Sequence, residues 1–331
     1  MRFTAFTVMI AFLATLAMGM IFIPFLKKLK FGQNVRLDGP KSHLVKTGTP
    51  TMGGIIFLVP LIIVALFFSK GNMDFVLVAI LATIGFGLIG FIDDYIKVVM
   101  KRSLGLRAYQ KIIVQIGIAV AIAYYAYSHE YIGSSMIIPF TGTELDLGIF
   151  YIPVAVFIIV GTVNSVNLTD GLDGLAAGVT LIVSATLCII VSFAAVLATE
   201  KGLGYLAGNY ENLIVFSAAL TGVCLGFLRY NSHPAQVFMG DTGSLGLGGA
   251  ISVLSILLRL PLWLPLIGGV YMAESISVIL QVASFKLRGK RIFKMSPLHH
   301  HFELSGMAET RVVAMFMIAT VVLCLFSLMS I

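Results

Sequence analysis

Charge is scarce in this chain. Asp, Glu, Lys and Arg make up 11% of its 331 residues, while 59% are hydrophobic. Soluble chains carry about 25% charged residues. An apolar excess this large cannot be hidden in a core, because a folded surface must still face water. A soluble globular domain is therefore excluded. Cysteine is sparse too: Cys188, Cys224 and Cys324 each sit inside an apolar run, without the spacing of a metal knuckle or a disulfide framework. They read as small buried residues. No small-residue cleavage site follows the first apolar run, Phe3 to Leu26, whose basic cluster comes after it. It reads as a retained span rather than a signal peptide. There is no Walker loop, no H-E-x-x-H, no G-x-S-x-G, and no internal repeat of the kind an inverted-repeat transporter would show. Gly85 to Gly90 matches G-x-G-x-x-G literally, but it lies inside an apolar span with no preceding strand. Small residues at that spacing read as a place of close helix contact.

What the chain has in abundance is long apolar runs, at 3–26, 53–69, 75–92, 112–128, 150–166, 175–198, 212–228, 245–260, 262–285 and 312–330. A transmembrane helix takes about 20 residues, so ten spans use about 200 and leave roughly 130 for connections. The expected fold is an all-α polytopic membrane protein of about ten transmembrane helices, with residues 1–331 forming a single integral membrane catalytic domain. Of the 22 Lys and Arg residues, 18 fall in segments 27–52, 93–111, 229–244 and 286–311. Basic residues are retained on the cytoplasmic side, which places both termini outside. The net charge of +7 is then mostly topology and requires no nucleic-acid partner. Among the outer connections, 130–150 reads as a small periplasmic hairpin around a Gly-containing turn.

Acidic residues are sorted as well. Asp93, Asp94, Asp170, Asp173 and Asp241 all sit where a span meets the cytoplasmic side, and carboxylates at a membrane boundary need pairing, hydration or a metal. On a continuing helix Lys97 falls one turn from Asp93 and Asp94, so the three share a face; either Lys97 or a divalent metal would relieve the repulsion of the two carboxylates. Asn164 to Gly174 is the inner loop without Lys or Arg, and its Asn167, Asp170 and Asp173 offer hard oxygen ligands for Mg²⁺ or acceptors for a base or sugar. Asn231 to Ser244 carries Phe238, equally readable as a platform for a nucleobase or as an interface anchor, and a glycine-flanked Asp241 suited to a metal. His299, His300 and His301 are consecutive, which suits contact with phosphate or orientation of a carboxylate better than a tight metal cage. Lys46, Arg107 and Lys111 complete a cationic rim.

In order along the chain stand Asp93-Asp94-x-x-Lys97, Asn167-Leu-Thr-Asp170-Gly-Leu-Asp173-Gly, Phe238-Met-Gly-Asp241-Thr-Gly-Ser and Pro297-Leu-His-His-His-Phe-Glu303. Together they resemble the bacterial phospho-N-acetylmuramoyl-pentapeptide transferases, a branch of the polyprenyl-phosphate N-acetylhexosamine-1-phosphate transferases. The aspartate motifs are shared across the superfamily; the Pro-Leu-His-His-His-Phe-Glu run points to the branch. The resemblance implies transfer of a phospho-sugar from UDP-N-acetylmuramoyl-pentapeptide to undecaprenyl phosphate, with Mg²⁺, giving lipid I and UMP in the bacterial inner membrane. It implies membrane lipid as surroundings and a homodimer as assembly. It assigns Asp241 and Asn167 to Mg²⁺. Asp93 would orient or deprotonate the lipid phosphate, with Asp94 and Lys97 in support. Asp170, Asp173, Asn231, Phe238 and Lys46 would hold uridine, Lys111 the substrate phosphates, and His299, His300 and His301 phosphate or sugar. Direct attack by the lipid phosphate and a two-step route through an aspartate remain open. So does a sister activity on UDP-N-acetylglucosamine. A secondary transporter is disfavoured, since Glu274 is the one clear acidic residue at mid-span depth.

Overall fold

In lipid every backbone polar group must be satisfied within the protein, so apolar runs of this length become helices. The computed structural model describes residues 2–28, 48–98, 100 and 105–330. The chain forms α1 (Arg2–Lys28), α2 (Gly54–Phe68), α3 (Asp74–Val98) and α4 (Ala108–Ser128). A hairpin of β1 (Ser135–Ile137) and β2 (Glu144–Asp146) follows, then α5 (Tyr151–Thr169), α6 (Leu175–Glu200), α7 (Gly204–Asn231) and α8 (Gly240–Leu257). After the short α9 (Leu264–Ile267) come α10 (Gly269–Arg288), the six-residue α11 (Leu298–Glu303) and α12 (Glu309–Leu328). Among the described residues nine helices are long and apolar enough to cross a membrane, and the 15-residue α2 is a shorter apolar helix among them. The protein is an integral membrane protein of the polytopic all-α class.

One span begins later than its apolar run. Residues 245–260 and 262–285 read as two successive spans, but α8 stops at Leu257 and the chain turns through a 3₁₀ segment, Pro261–Trp263, and the single turn of α9. Pro261 and Pro265 lack the N–H that a continuing helix needs. The next long helix therefore starts only at Gly269 and runs on to the basic residues Lys286 and Arg288.

At the centre lies α8, with sixteen of its eighteen residues buried. Its glycines let neighbours approach to backbone contact, as small residues do between helices in lipid. Gly243 meets Gly54 of α2, Gly246 faces Gly87 of α3, and Gly248 lies on the backbone of Val163 in α5. The run Gly85 to Gly90 thus serves close helix contact, as its setting predicts. This packing gathers the C-terminal ends of α3, α5 and α7 and the N-terminal ends of α4, α6 and α8 on one face. The opposite face is tied by Asn212, which accepts from the Lys70 N–H at 2.9 Å and donates to the carbonyl of Asn72 at 2.6 Å. The expected hairpin is there: Met136 pairs with Leu145, and an ion pair between Arg259 and Glu144 pins it to the end of α8.

Candidate active site

Four motifs far apart in sequence meet at the gathered helix ends. Asp93 and Lys97 lie one helical turn apart on α3, and their charged groups touch at 2.5 Å. Lys97 also reaches Asp241 at the start of α8 at 3.0 Å. Lys111, from the first turn of α4, approaches Asp241 at 2.5 Å and Asp93 at 3.3 Å. Two carboxylates and two ammonium groups thus form a closed quartet. Asp93 is only 1% exposed, so the pairing compensates a carboxylate withdrawn from water.

Each member is braced from behind. Asp93 accepts the N–H of Leu106 at 2.7 Å. Asn167, at the end of α5, donates its amide to Asp241 at 2.9 Å and to Ser244 at 2.8 Å. Asp94, beside the quartet, caps α8. It accepts the N–H of Asp241 at 3.1 Å, the N–H of Thr242 at 2.9 Å and the Thr242 hydroxyl at 2.7 Å. A carboxylate at this place satisfies amide groups that have no partner within the helix and complements the positive end of its dipole. Gly240, at a φ of +73°, makes the turn into α8; a Cβ there would meet the Asp94 carboxylate at 2.6 Å. Carboxylate oxygens of Asp93, Asp94 and Asp241 come within 4.8 Å of one another.

Asp170 follows α5 and is half-buried. Burial first, then the negative charges of Asp241, Asp94 and Asp173, push its carboxyl up to about 8. Beyond it the loop turns to a second cluster. Asp173 accepts from the Ala235 N–H at 3.0 Å and contacts His233 at 3.1 Å, while Glu309 of α12 accepts the Asp173 N–H at 2.8 Å. Asn231 is buried, accepting from the Gly174 N–H at 3.1 Å and donating to the Val237 carbonyl at 3.0 Å. Phe238 is bonded through its backbone to the segment before α2. Its N–H donates to the carbonyl of Pro50 at 2.8 Å and its carbonyl accepts from the Gly53 N–H at 2.9 Å.

The chain matches the family description "Glycosyl transferase family 4" over residues 76–259, more than half its length. It also matches "Phospho-N-acetylmuramoyl-pentapeptide-transferase signature 1" over residues 46–58, which include the Pro50 and Gly53 that bond to Phe238. A phospho-N-acetylmuramoyl-pentapeptide-transferase of Thermoanaerobacter sp. (strain X514) is 56% identical over 97% of this chain and 96% of its own. Its counterpart in Clostridium kluyveri is 54% identical over 98% of each chain, and that of Clostridioides difficile 52% identical over 98% and 97%. The chain belongs to the phospho-N-acetylmuramoyl-pentapeptide-transferase family.

Within this transferase fold the structure brings together Asp93, Lys97, Lys111, Asn167 and Asp241, with Asp94 immediately behind them. Asp173 and Asn231 stand apart in the second cluster. Of the histidines, His299 is buried and contacts Glu274 at 3.2 Å, and His300 contacts Glu303 at 2.9 Å. His301 accepts the Lys294 N–H at 3.1 Å. Arg107 precedes α4, and its N–H donates to Gln110 at 3.0 Å. Lys46 lies outside the described residues. Sequence reasoning gave no role to Thr242 and Ser244, although both stand in the Asp241 motif, and it passed over His233 and Glu309. A hydroxyl beside an aspartate at a helix start was the available signal for Thr242. Glu309, the first residue of α12, had none.

Proposed function

We propose that this protein transfers phospho-N-acetylmuramoyl-pentapeptide from its UDP conjugate to undecaprenyl phosphate, forming lipid I and releasing UMP, at the cytoplasmic face of the bacterial inner membrane. The whole chain acts as one membrane-embedded catalytic unit, and the family resemblance adds a homodimer. The observation that carries the chemistry is the quartet of Asp93, Lys97, Asp241 and Lys111 at gathered helix ends. There a phosphate held in the bilayer can meet a nucleotide that arrives from water. The choice of sugar rests on the relatives' names.

Phosphoryl transfer chiefly needs positioning and neutralised charge. An oxygen of the lipid phosphate attacks the phosphorus that bears the sugar. The bond from that phosphorus to the bridging oxygen breaks, and UMP leaves with the electron pair. Asp93, braced by the Leu106 N–H, orients the attacking phosphate. A phosphate monoester has its second pKa near 6, so little proton removal is asked of Asp93. Lys97 and Lys111 receive phosphate oxygens, and Asp94 acts by fixing the start of α8 and with it Asp241. Asp170, Asp173, Asn231, Phe238 and Lys46 hold the uridine, while His299, His300 and His301 serve the phosphates and sugar.

The donor set fits Mg²⁺, which takes hard oxygen ligands and usually only one or two carboxylates. The two ammonium groups that bridge Asp93 and Asp241 carry the charge of one divalent ion. Asp241 and Asn167 are the residues assigned to hold it. Bound there, Mg²⁺ would supply neutralising charge for the pyrophosphate.

The test offers purified protein in nanodiscs undecaprenyl phosphate with either UDP-N-acetylmuramoyl-pentapeptide or UDP-N-acetylglucosamine, and follows UMP. Release with the first alone is expected. Release with the second alone would reassign the protein to the sister activity, and phosphate trapped covalently on Asp93 or Asp94 would overturn direct attack.

A further inference from the structure

Glu274 is a carboxylate inside the membrane region for which the transfer chemistry gives no role. It lies in the second turn of α10, is 0% exposed, and neither carboxylate oxygen has a hydrogen-bond partner among the described residues. Ionisable groups within membrane-spanning helices are strongly disfavoured unless something holds them, and where they occur they mark function. Exchanging a buried charge for a well-packed apolar residue is often neutral or stabilising, so packing alone does not explain a glutamate here.

What faces it is His299. Oε1 of Glu274 stands 3.2 Å from Nδ1 of the imidazole, and His299 is itself only 1% exposed. The two groups touch without being aligned into a hydrogen bond, a common condition of sites before substrate tightens them. The rest of the ring is hemmed in. Nε2 lies against Gly171, where a methyl group would overlap it, and the His300 ring packs edge-on at a centroid distance of 4.2 Å. Beside Glu274, the hydroxyl of Ser275 meets that of Ser165 on α5 at 2.6 Å. This contact fixes α10 against the helix that delivers Asn167 and Asp170. Glu274 therefore approaches one ring nitrogen of His299, and the other nitrogen is left at the Asp170-Gly171 turn.

We propose that Glu274 is a positioning residue for His299. Its carboxylate accepts a hydrogen bond from Nδ1–H, selects the tautomer in which Nε2 is the free nitrogen, and keeps that atom at the loop between the quartet and the second cluster. Which ring nitrogen carries the proton is set by the hydrogen bond the other one makes, and a carboxylate in that place fixes the orientation of the ring. The inference rests on the reading of His299 as a group that serves the transferase site.

The chain has six histidines, so nitrogen NMR of histidine-labelled protein in micelles can resolve His299 by difference against His299→Gln. The expected result is an Nδ1–H tautomer in the wild type, lost in Glu274→Ala and kept in Glu274→Gln, whose amide oxygen still accepts the hydrogen bond from Nδ1–H. In the UMP-release assay, Glu274→Ala lowers kcat about 10- to 100-fold with KM for the nucleotide substrate within about twofold, and Glu274→Gln recovers part of the loss. An unchanged His299 tautomer in Glu274→Ala overturns the proposal, as does wild-type kcat in that variant. Should Glu274→Ala fail to fold, Glu274→Gln decides: an altered tautomer, or no kcat advantage over His299→Gln, overturns it. If the wild type releases no UMP from either nucleotide, the transferase reading fails, while the tautomer spectrum still decides the relation between the two residues.

Discussion

Gly90 of α3 lies so close to the carbonyl of Asp241 that a methyl group on its α-carbon would overlap the oxygen. The absence of a side chain at one position of α3 thus lets the N-terminus of α8 settle beside Asp93 and Asp94. Spacing of the functional groups is set by backbone contact, and backbone cannot retreat as a flexible side chain can.

Gly90→Ala should therefore separate α3 from α8 and disturb the quartet. Overpacking of this kind costs about 1–3 kcal/mol, and misplacement by an ångström costs turnover far more than binding. UMP release is expected to fall by about 100-fold with a lower midpoint of thermal unfolding. Gly117→Ala on α4, where nothing lies within 4 Å of the added carbon, is the control and should leave both near wild type. Equal behaviour of the two variants would contradict this account.

Asp94 and Thr242 separate capping from chemistry. Asp94→Asn keeps one acceptor oxygen but loses the charge at the start of α8. Losses at helix N-termini run to about 0.5–2 kcal/mol, and here Asp241 moves with them, so stability and turnover should fall together. Thr242→Val removes only the hydroxyl bond to Asp94, 2.7 Å long, and leaves both backbone N–H groups paired. A loss of about 1 kcal/mol with turnover within about threefold is expected. Turnover unharmed in Asp94→Asn would show that the cap is dispensable.

Most of the spans were legible in the sequence because burial in lipid writes itself as run length; the boundary around Pro261 was not. The contact of Asp93 with Lys97 was legible too, since four positions on a helix make one turn. The bridge from Lys111 to Asp241 crosses 130 positions and could not be read. Lateral packing in lipid leaves little periodic signal, because lipid tails are as apolar as the helix faces they cover. Gly85 to Gly90 announced a close contact without naming α8 as its partner. Glu274 reads as mid-span within the run 262–285, but α10 starts only at Gly269, beyond Pro261 and Pro265, which puts Glu274 in its second turn, facing His299.

Asp241 is the acceptor for both ammonium groups and for Asn167, so Asp241→Asn should break the quartet from its centre. Losing one preorganised electrostatic group costs about 10²- to 10³-fold in kcat, and a fall in that range is expected for UMP release. Metal adds a second readout. If Asp241 holds Mg²⁺, millimolar Mg²⁺ should raise the unfolding midpoint of the wild type, because a ligand that binds only the native state stabilises it. EDTA should reverse the rise, and Asp241→Asn should show none. An equal Mg²⁺-dependent rise in wild type and Asp241→Asn would remove Asp241 from the metal assignment.

Asp170 makes the metal-free protein sensitive to pH in a predictable direction. Its carboxyl is pushed up to about 8 in the folded chain, by burial first and then by Asp241, Asp94 and Asp173, from an ordinary value of 3.8. Between those two values the native state keeps a proton that the unfolded state gives up. Stability must then fall as pH rises. This contribution is complete below about 4, declines through the neutral range and is gone above about 8. Asp170→Asn has no proton to lose at that position, so the wild type should lose ground to it steadily across the window. Unfolding midpoints of the two proteins, measured in EDTA from pH 4.5 to pH 9, give the comparison. A difference that stays constant over that range would show that Asp170 is ionised in the folded protein throughout.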